Sequence, residues 1–339
     1  MEAQVVCQGD KEGSEILDKF PVVKHSDPPS PSHDGFPEGG LAAWATVFGS
    51  FLAQISIFGY SVAFGVYQDF YTRHYLTNET SSAISWIGSV SLCLLTSFSL
   101  ISGALYDRGY FYHLVIAAKP NQYYQIFLTQ GLGLGIASGL LYVPTMAVIS
   151  HHFRRKRMLV TTFVASGTSL GAIIHPIMLN NLLNGPVGFA NGVRASAGLV
   201  SGLLLIACMC MRTRLDPPTI PVNYIAAASK CIHDVPFAFM MAGAFLFQTG
   251  FYYPIFYFQL DSIKHGVSVT FSFYSLVISN ASNFIGRVTC GYIAAYTGVL
   301  NLTILAAISS AVLIFGMIGL SSLVSVVVLG VVYGYVSGV

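Results

Sequence analysis

His151-His152-Phe153-Arg154-Arg155-Lys156-Arg157 lies between two long apolar runs, and its reading decides the fold. Four cations in succession, flanked by stretches with almost no charge, mark a loop between membrane helices. The excess of Lys and Arg places that loop on the cytoplasmic side. Outward from it, an apolar helix needs about 20 residues to cross the hydrocarbon core. By that measure the chain holds runs at 44–67, 82–106, 123–149, 158–182, 193–211, 236–259, 269–295, 298–319 and 323–339. They are too long for strands and show no alternation of period two. The expected fold class is an all-α membrane protein.

Composition agrees. Charged residues make up 9% of the 339 residues and hydrophobic residues 54%, with a mean hydropathy of +0.66. A soluble domain carries about a quarter charged residues, so a water-soluble fold of this size would need an oversized dry core. In a membrane, lipid is the solvent for the apolar faces. The net charge of +2 comes without a basic stripe or interleaved aromatics, which argues against nucleic acid as a partner. Of the six cysteines, Cys93, Cys208, Cys210 and Cys290 lie in apolar runs and Cys7 and Cys231 in polar segments, and no pair has zinc-ligand spacing. No nucleotide-binding motif, paired acids or nucleophile motif appears inside the runs. Neither an enzyme nor an ATP-driven pump is expected, and no cofactor.

Residues 1–43 are polar, contain Asp27-Pro28-Pro29-Ser30-Pro31-Ser32, and read as a disordered cytoplasmic tail without a secretory signal. Residues 44–211 read as a first helix bundle, 212–235 as a cytoplasmic linker and 236–339 as a second bundle. With the tail, Arg108, the basic loop and the linker inside, eleven of the 16 Lys and Arg face the cytoplasm. Asn78-Glu79-Thr80 then lies outside, where Asn78 is an acceptor for N-glycosylation.

Arg108 and Arg154 should share a side, so an even number of crossings must separate them. One full run, 123–149, does so. The remaining apolar piece, Tyr110 to Ala118, rises only about 13.5 Å as a helix against a core of about 30 Å. About one helix near residue 118 is therefore expected to be missing, as are helices beyond the last run.

Three stretches carry a resemblance. Glu38-Gly39-Gly40-Leu41-Ala42-Ala43-Trp44 leads into the first run. Phe153-Arg154-Arg155-Lys156-Arg157-Met158-Leu159-Val160-Thr161 is followed by Ala165-Ser166-Gly167-Thr168-Ser169-Leu170-Gly171. Gly103-Ala104-Leu105-Tyr106-Asp107-Arg108-Gly109 closes the second run. Together they resemble the monocarboxylate porter branch of the major facilitator superfamily, in its fungal form, from about residue 38 onward. The resemblance implies the major facilitator fold, two pseudo-symmetric helix bundles moving by alternating access around a midplane site. In keeping with an internal repeat, Gly103-x-x-x-Asp107 recurs in reduced form at Gly291, with Ala295 in place of the acid.

The candidate site residues are the polar groups inside the runs. Arg287 is an ionisable group in a spanning helix, by default a functional feature. Asn280 and Asn283 share its face at helical spacing, which should look into a central cavity where Arg287 could hold an anionic group. The alternative for Arg287 is capping of backbone carbonyls or snorkelling. The resemblance implies an Asp one turn before this Arg, where the present chain has Asn283, and a Lys in the first helix, which holds none. His175, before Pro176, is read as a proton site or a packing histidine. Tyr252 and Tyr253 line an aromatic path or belong to an interfacial belt. Gly167 and Gly171, and likewise Gly131, Gly135 and Gly139, allow close helix approach, either as plain packing or as a sliding contact. Asp107 and Arg108 bias one conformation or form a solvated turn. The expected function is secondary-active transport of a small organic solute, a monocarboxylate-like acid or a secondary metabolite, with a proton as candidate co-substrate and the plasma membrane as location. The competing reading is a non-transporting fragment of such a transporter.

Overall fold

The computed structural model describes residues 38–72, 80–106, 132–214, 229, 231–264, 268–317 and 323–339. Each apolar run corresponds to a helix there: α1 (Leu41–Phe70), α2 (Ser81–Tyr106), α3 (Leu134–Ala147), α4 (Arg157–Asn184), α5 (Gly188–Cys210), α6 (Val235–Lys264), α7 (Val269–Thr297), α8 (Val299–Gly316) and α9 (Leu323–Gly338). No strand occurs among the described residues. Five of the helices, α1, α3 with its 3-10 extension to His151, α4, α5 and α8, are long and apolar enough to cross a membrane on length and composition alone. Residues 107–131, including Asp107, Arg108 and the remnant near residue 118, lie outside the described part, as do Asn78 and Gly131.

The ends of these helices follow local chemistry. Gly40, at φ 98°, adopts a conformation that favours glycine and starts α1, its carbonyl accepting from the Trp44 N–H at 3.1 Å. Inside α1 a π-helical stretch, Ile55–Gly59, is followed by a break at Ala63. Ser56 and Ser61 there turn their hydroxyls back onto the Leu52 and Ile57 carbonyls, the kind of bond that bends a helix. A single residue, Gly298, at φ 80°, separates α7 from α8; its N–H bonds the Ala294 carbonyl and closes α7. The sequence spacing predicts a wider gap, but one left-handed glycine suffices for the reversal. Helix α5 begins at Gly188, five residues before the expected run; Asn191 lies in this extension, and its Oδ1 accepts from Arg194 Nη1 at 3.3 Å.

Helices meet where glycines remove the side-chain barrier. A Cβ on Gly167 would stand 2.6 Å from the Phe51 carbonyl oxygen, and one on Gly171 would run into the Ile55 carbonyl and Gly59. These two glycines therefore set the α1–α4 crossing, at the π-helical stretch. On α3, Gly135 and Gly139 face the Ser91 and Leu95 carbonyls of α2, each 2.6 Å from a built Cβ. On α9, Gly334 and Gly338 face the Ser279 and Asn283 carbonyls of α7. Ser91 and Leu95 precede Gly103 by the same intervals at which Ser279 and Asn283 precede Gly291. The register of the sequence repeat thus recurs as a register of contacts.

Helix α4 packs on α1 and α5 and, along another face, on α7, which in turn packs on α9 and α6. Large apolar side chains stand exposed on the outer faces, among them Phe239 and Phe245 of α6, Leu205 and Met209 of α5, and Ile308 and Phe315 of α8. Exposure of so many large apolar side chains suits a bilayer.

Candidate functional site

The basic loop is built by its neighbours. Glu38 accepts from the backbone N–H groups of Arg154 (3.1 Å), Arg155 (2.6 Å) and Lys156 (3.2 Å), directly before α4. These N–H groups have no partner within the helix, and a carboxylate there is favoured by the helix dipole as well. The bond from Arg155 is the main reason the Glu38 carboxyl lies below its usual range, with partial desolvation opposing it. Trp44 packs edge-on against Phe153 at 5.7 Å. His152 bonds the Arg212 carbonyl through Nε2 at 2.9 Å, and the Arg212 N–H donates to Thr46 Oγ1 at 3.2 Å. Two of the stretches that carry the family resemblance are thereby one structure at one end of the bundle.

Farther in, a polar cluster joins α4, α7 and α9. Asn283 is the middle residue of α7, about 21 Å from either end at 1.5 Å per residue. Ser169 lies near the middle of α4, and its hydroxyl donates to Asn283 Oδ1 at 2.5 Å. Arg287 Nε donates to the same oxygen at 3.0 Å and Nη1 to the Ala165 carbonyl at 3.1 Å. Asn283 Nδ2 donates to Ser337 Oγ at 3.0 Å, and the Ser337 hydroxyl donates to the Gly334 carbonyl. One turn beyond Arg287, Gly291 rests against Leu159 and Thr162 of α4. The contacts run antiparallel, so Arg287 lies between the midplane and the end that carries the basic loop. A charged donor in this position is tolerable because acceptors surround it.

Among the sequence-predicted site residues, Asn283 and Arg287 are in direct contact. Asn280 shares their helix but gives its amide hydrogen to the Leu276 carbonyl at 3.0 Å. His175 stands on the other face of α4, that of Gly167 and Gly171, fully buried with its ring edge-on to Tyr60 at 5.5 Å. Neither of its nitrogens makes a hydrogen bond of good geometry, although the Ile55 carbonyl is close enough to interact. Tyr252 and Tyr253 lie in α6, with side chains outside the described part; the neighbouring Phe251 carbonyl accepts from the Tyr333 hydroxyl at 2.9 Å. A pocket between α1, α2 and α3, lined by Tyr60, Phe64, Tyr67, Ser91 and Leu92 among others, includes none of the predicted site residues. No group of His, Cys, Asp and Glu suited to a metal occurs among the described residues.

Ser169, Ser337 and the Ala165 carbonyl were not legible as site members. For Ala165 and Ser169 the one signal was their i, i+4 spacing, a face of small residues opposite the glycine face. Gln54 was also missed: it is buried in α1 and its amide donates to Thr145 Oγ1 of α3 at 3.0 Å.

Long apolar helices with lipid-suited outer faces, and a polar cluster at mid-depth, define an integral, multi-pass membrane protein. The chain belongs to the Major Facilitator Superfamily, whose sequence pattern matches residues 46–339. It is similar to the aspyridones efflux protein of Emericella nidulans, 33% identical over 322 residues, covering 92% of this chain and 65% of that protein. An MFS-type transporter of Ophiocordyceps sp. is 32% identical over 347 residues, covering 98% of this chain and 75% of that one. The agnestins efflux protein of Paecilomyces divaricatus is 32% identical over 302 residues, covering 86% and 69%. The chain thus spans about two thirds to three quarters of the length of these relatives.

Proposed function

We propose that this chain is a secondary-active transporter, not an enzyme, that exports a small organic solute by alternating access. The solute class is an organic acid or secondary metabolite bearing an anionic oxygen. The observation that carries this reading is the Arg287–Asn283–Ser169 cluster, a guanidinium held near mid-depth where α4 meets α7. The names of the relatives, which refer to efflux of fungal metabolites, support export over uptake. Within the same reading the residues before 212 form one bundle and those after 235 the other, with α4 and α7 as the facing helices. The chain belongs to the monocarboxylate porter branch and sits in the plasma membrane with its N-terminus and basic loop cytoplasmic. His175 is the residue for a co-transported proton, being an imidazole enclosed within spanning helices. Tyr252 and Tyr253 belong to the solute path.

A second reading, a non-transporting piece of such a transporter, is favoured by one observation: between Arg108 and Arg154 the sequence holds a single run long enough to cross. The test is efflux of carboxylate-bearing metabolites from vesicles containing the purified chain, beside Arg287→Gln. Transport that the substitution removes supports the proposal. Transport that survives it moves the site elsewhere, and a folded chain that moves nothing favours the second reading.

A further inference from the structure

The Nε and Nη1 hydrogen bonds of Arg287 are unequal. The Nε bond ends on Asn283 Oδ1, and that oxygen cannot turn away. The Ser337 hydroxyl spends its hydrogen on the Gly334 carbonyl and so presents a lone pair to Asn283 Nδ2. With the amide nitrogen fixed there, the amide oxygen faces Ser169 and Arg287. The Nη1 bond ends on the Ala165 carbonyl, which is crowded. Thr168 Oγ1 donates to the same oxygen at 2.8 Å, and within α4 it also belongs to the i→i−4 ladder, which brings the Ser169 N–H. A carbonyl oxygen has two lone pairs, so donors converging on it weaken one another.

We propose that Thr168 is a positioning residue for solute binding: by sharing the Ala165 carbonyl it keeps the Arg287 Nη1 bond exchangeable, so that an anionic oxygen of the solute can replace Ala165 there and remove one of the hydrogen bonds that join α4 to α7. An anionic acceptor makes a stronger, charge-assisted bond than a neutral carbonyl, and Thr168 lowers what it must displace. Thr168 touches no solute; it acts through Ala165 and Arg287. This inference rests on the reading of Arg287 as the solute-binding residue.

The experiment measures binding of benzoate, with benzamide as neutral counterpart, to the purified full chain in detergent. Native protein, Thr168→Val, Thr168→Ser and Arg287→Gln are compared, with a melting curve for each. Benzoate is expected to bind native protein in preference to benzamide. Thr168→Val, isosteric but without the hydroxyl, should weaken benzoate binding roughly three- to tenfold, the effect of about one hydrogen bond. Thr168→Ser should restore it to within about twofold, and Arg287→Gln should abolish it. Loss in Arg287→Gln with no change in Thr168→Val overturns the inference and leaves the reading of Arg287 intact. Retained binding in Arg287→Gln, or none to native protein, overturns that reading and the inference with it. If Thr168→Val does not fold, a Thr168→Ala variant decides on the same scale.

Discussion

Gly167 and Gly171 let α4 lie directly on the backbone of α1, and this makes Gly→Ala a sharp probe. A Cβ at Gly167 would stand 2.6 Å from the Phe51 carbonyl oxygen and 3.1 Å from the Phe51 ring. An ordinary carbon–oxygen contact begins near about 3.3 Å, so the helices must part by about 0.7 Å. The neighbour is backbone and cannot rotate aside. Gly198 on α5 supplies the control, since a Cβ there meets nothing within 4 Å. In a helix interior Ala is better than Gly by about 1 kcal/mol, and over-packing costs about 1–3 kcal/mol, so Gly198→Ala should stabilise by up to about 1 kcal/mol and Gly167→Ala destabilise by up to about 2 kcal/mol. The helix-propensity gain is common to both, so the two variants should differ by the over-packing cost, about 1–3 kcal/mol in unfolding free energy, read from SDS titration in mixed micelles. The double variant Gly167→Ala/Gly171→Ala should lose less than the sum of the singles, because one retreat of α1 accommodates both. Equal shifts for Gly167→Ala and Gly198→Ala would refute direct backbone contact at this crossing.

Three further outcomes are expected. Glu38→Gln should speed trypsin cleavage at Arg154–Arg157, and native protein should show the same exposure under an acid-tolerant protease only at low pH. The carboxyl is held below its usual range, so its contribution is present above that range and lost as pH falls through the lowered value; equal cleavage rates for native and Glu38→Gln at neutral pH would remove the clamp. Thr145→Val should cost about 1–3 kcal/mol by leaving the Gln54 amide buried and unpaired, whereas Gln54→Leu/Thr145→Val should cost less than Thr145→Val alone; unfolding midpoints in the opposite order would disprove that bond. Gly338→Ala, pressed against the Asn283 carbonyl, should destabilise about as much as Gly139→Ala, pressed against that of Leu95; a large disparity would break the repeated register.

The runs were legible because a membrane helix must satisfy its backbone internally and show lipid an apolar face, and length and composition then suffice. Their ends were less so. Helix α5 starts at Gly188, five residues before its apolar run, with Gly188 and Asn191 in the extension, and α7 turns into α8 on one glycine. In the candidate site, the contact between Arg287 and Asn283 was legible from helical spacing, and the cost of a buried charge singled out Arg287. Ser169 and Ser337 were not, since a serine in an apolar helix reads the same whether it bonds its own backbone, as Ser56 does, or reaches another helix. The basic loop was legible as a loop between helices but its partner was not: nothing in local spacing tells that Glu38, more than 100 residues earlier, holds it.

Two fastenings join α1 to α4, the Glu38 carboxylate at the loop and the glycine crossing at the π-helical stretch. A pair of rods pinned at two heights has no easy hinge between them. In the proposed alternating access, rocking would therefore carry α1 and α4 together and spend its displacement at the face that α4 turns to α7. That face is fastened by hydrogen bonds among Ala165, Ser169, Asn283 and Arg287, which can break and re-form one at a time. On that proposal the moving joint and the solute site are the same place, so a solute that grips Arg287 would also hold the joint.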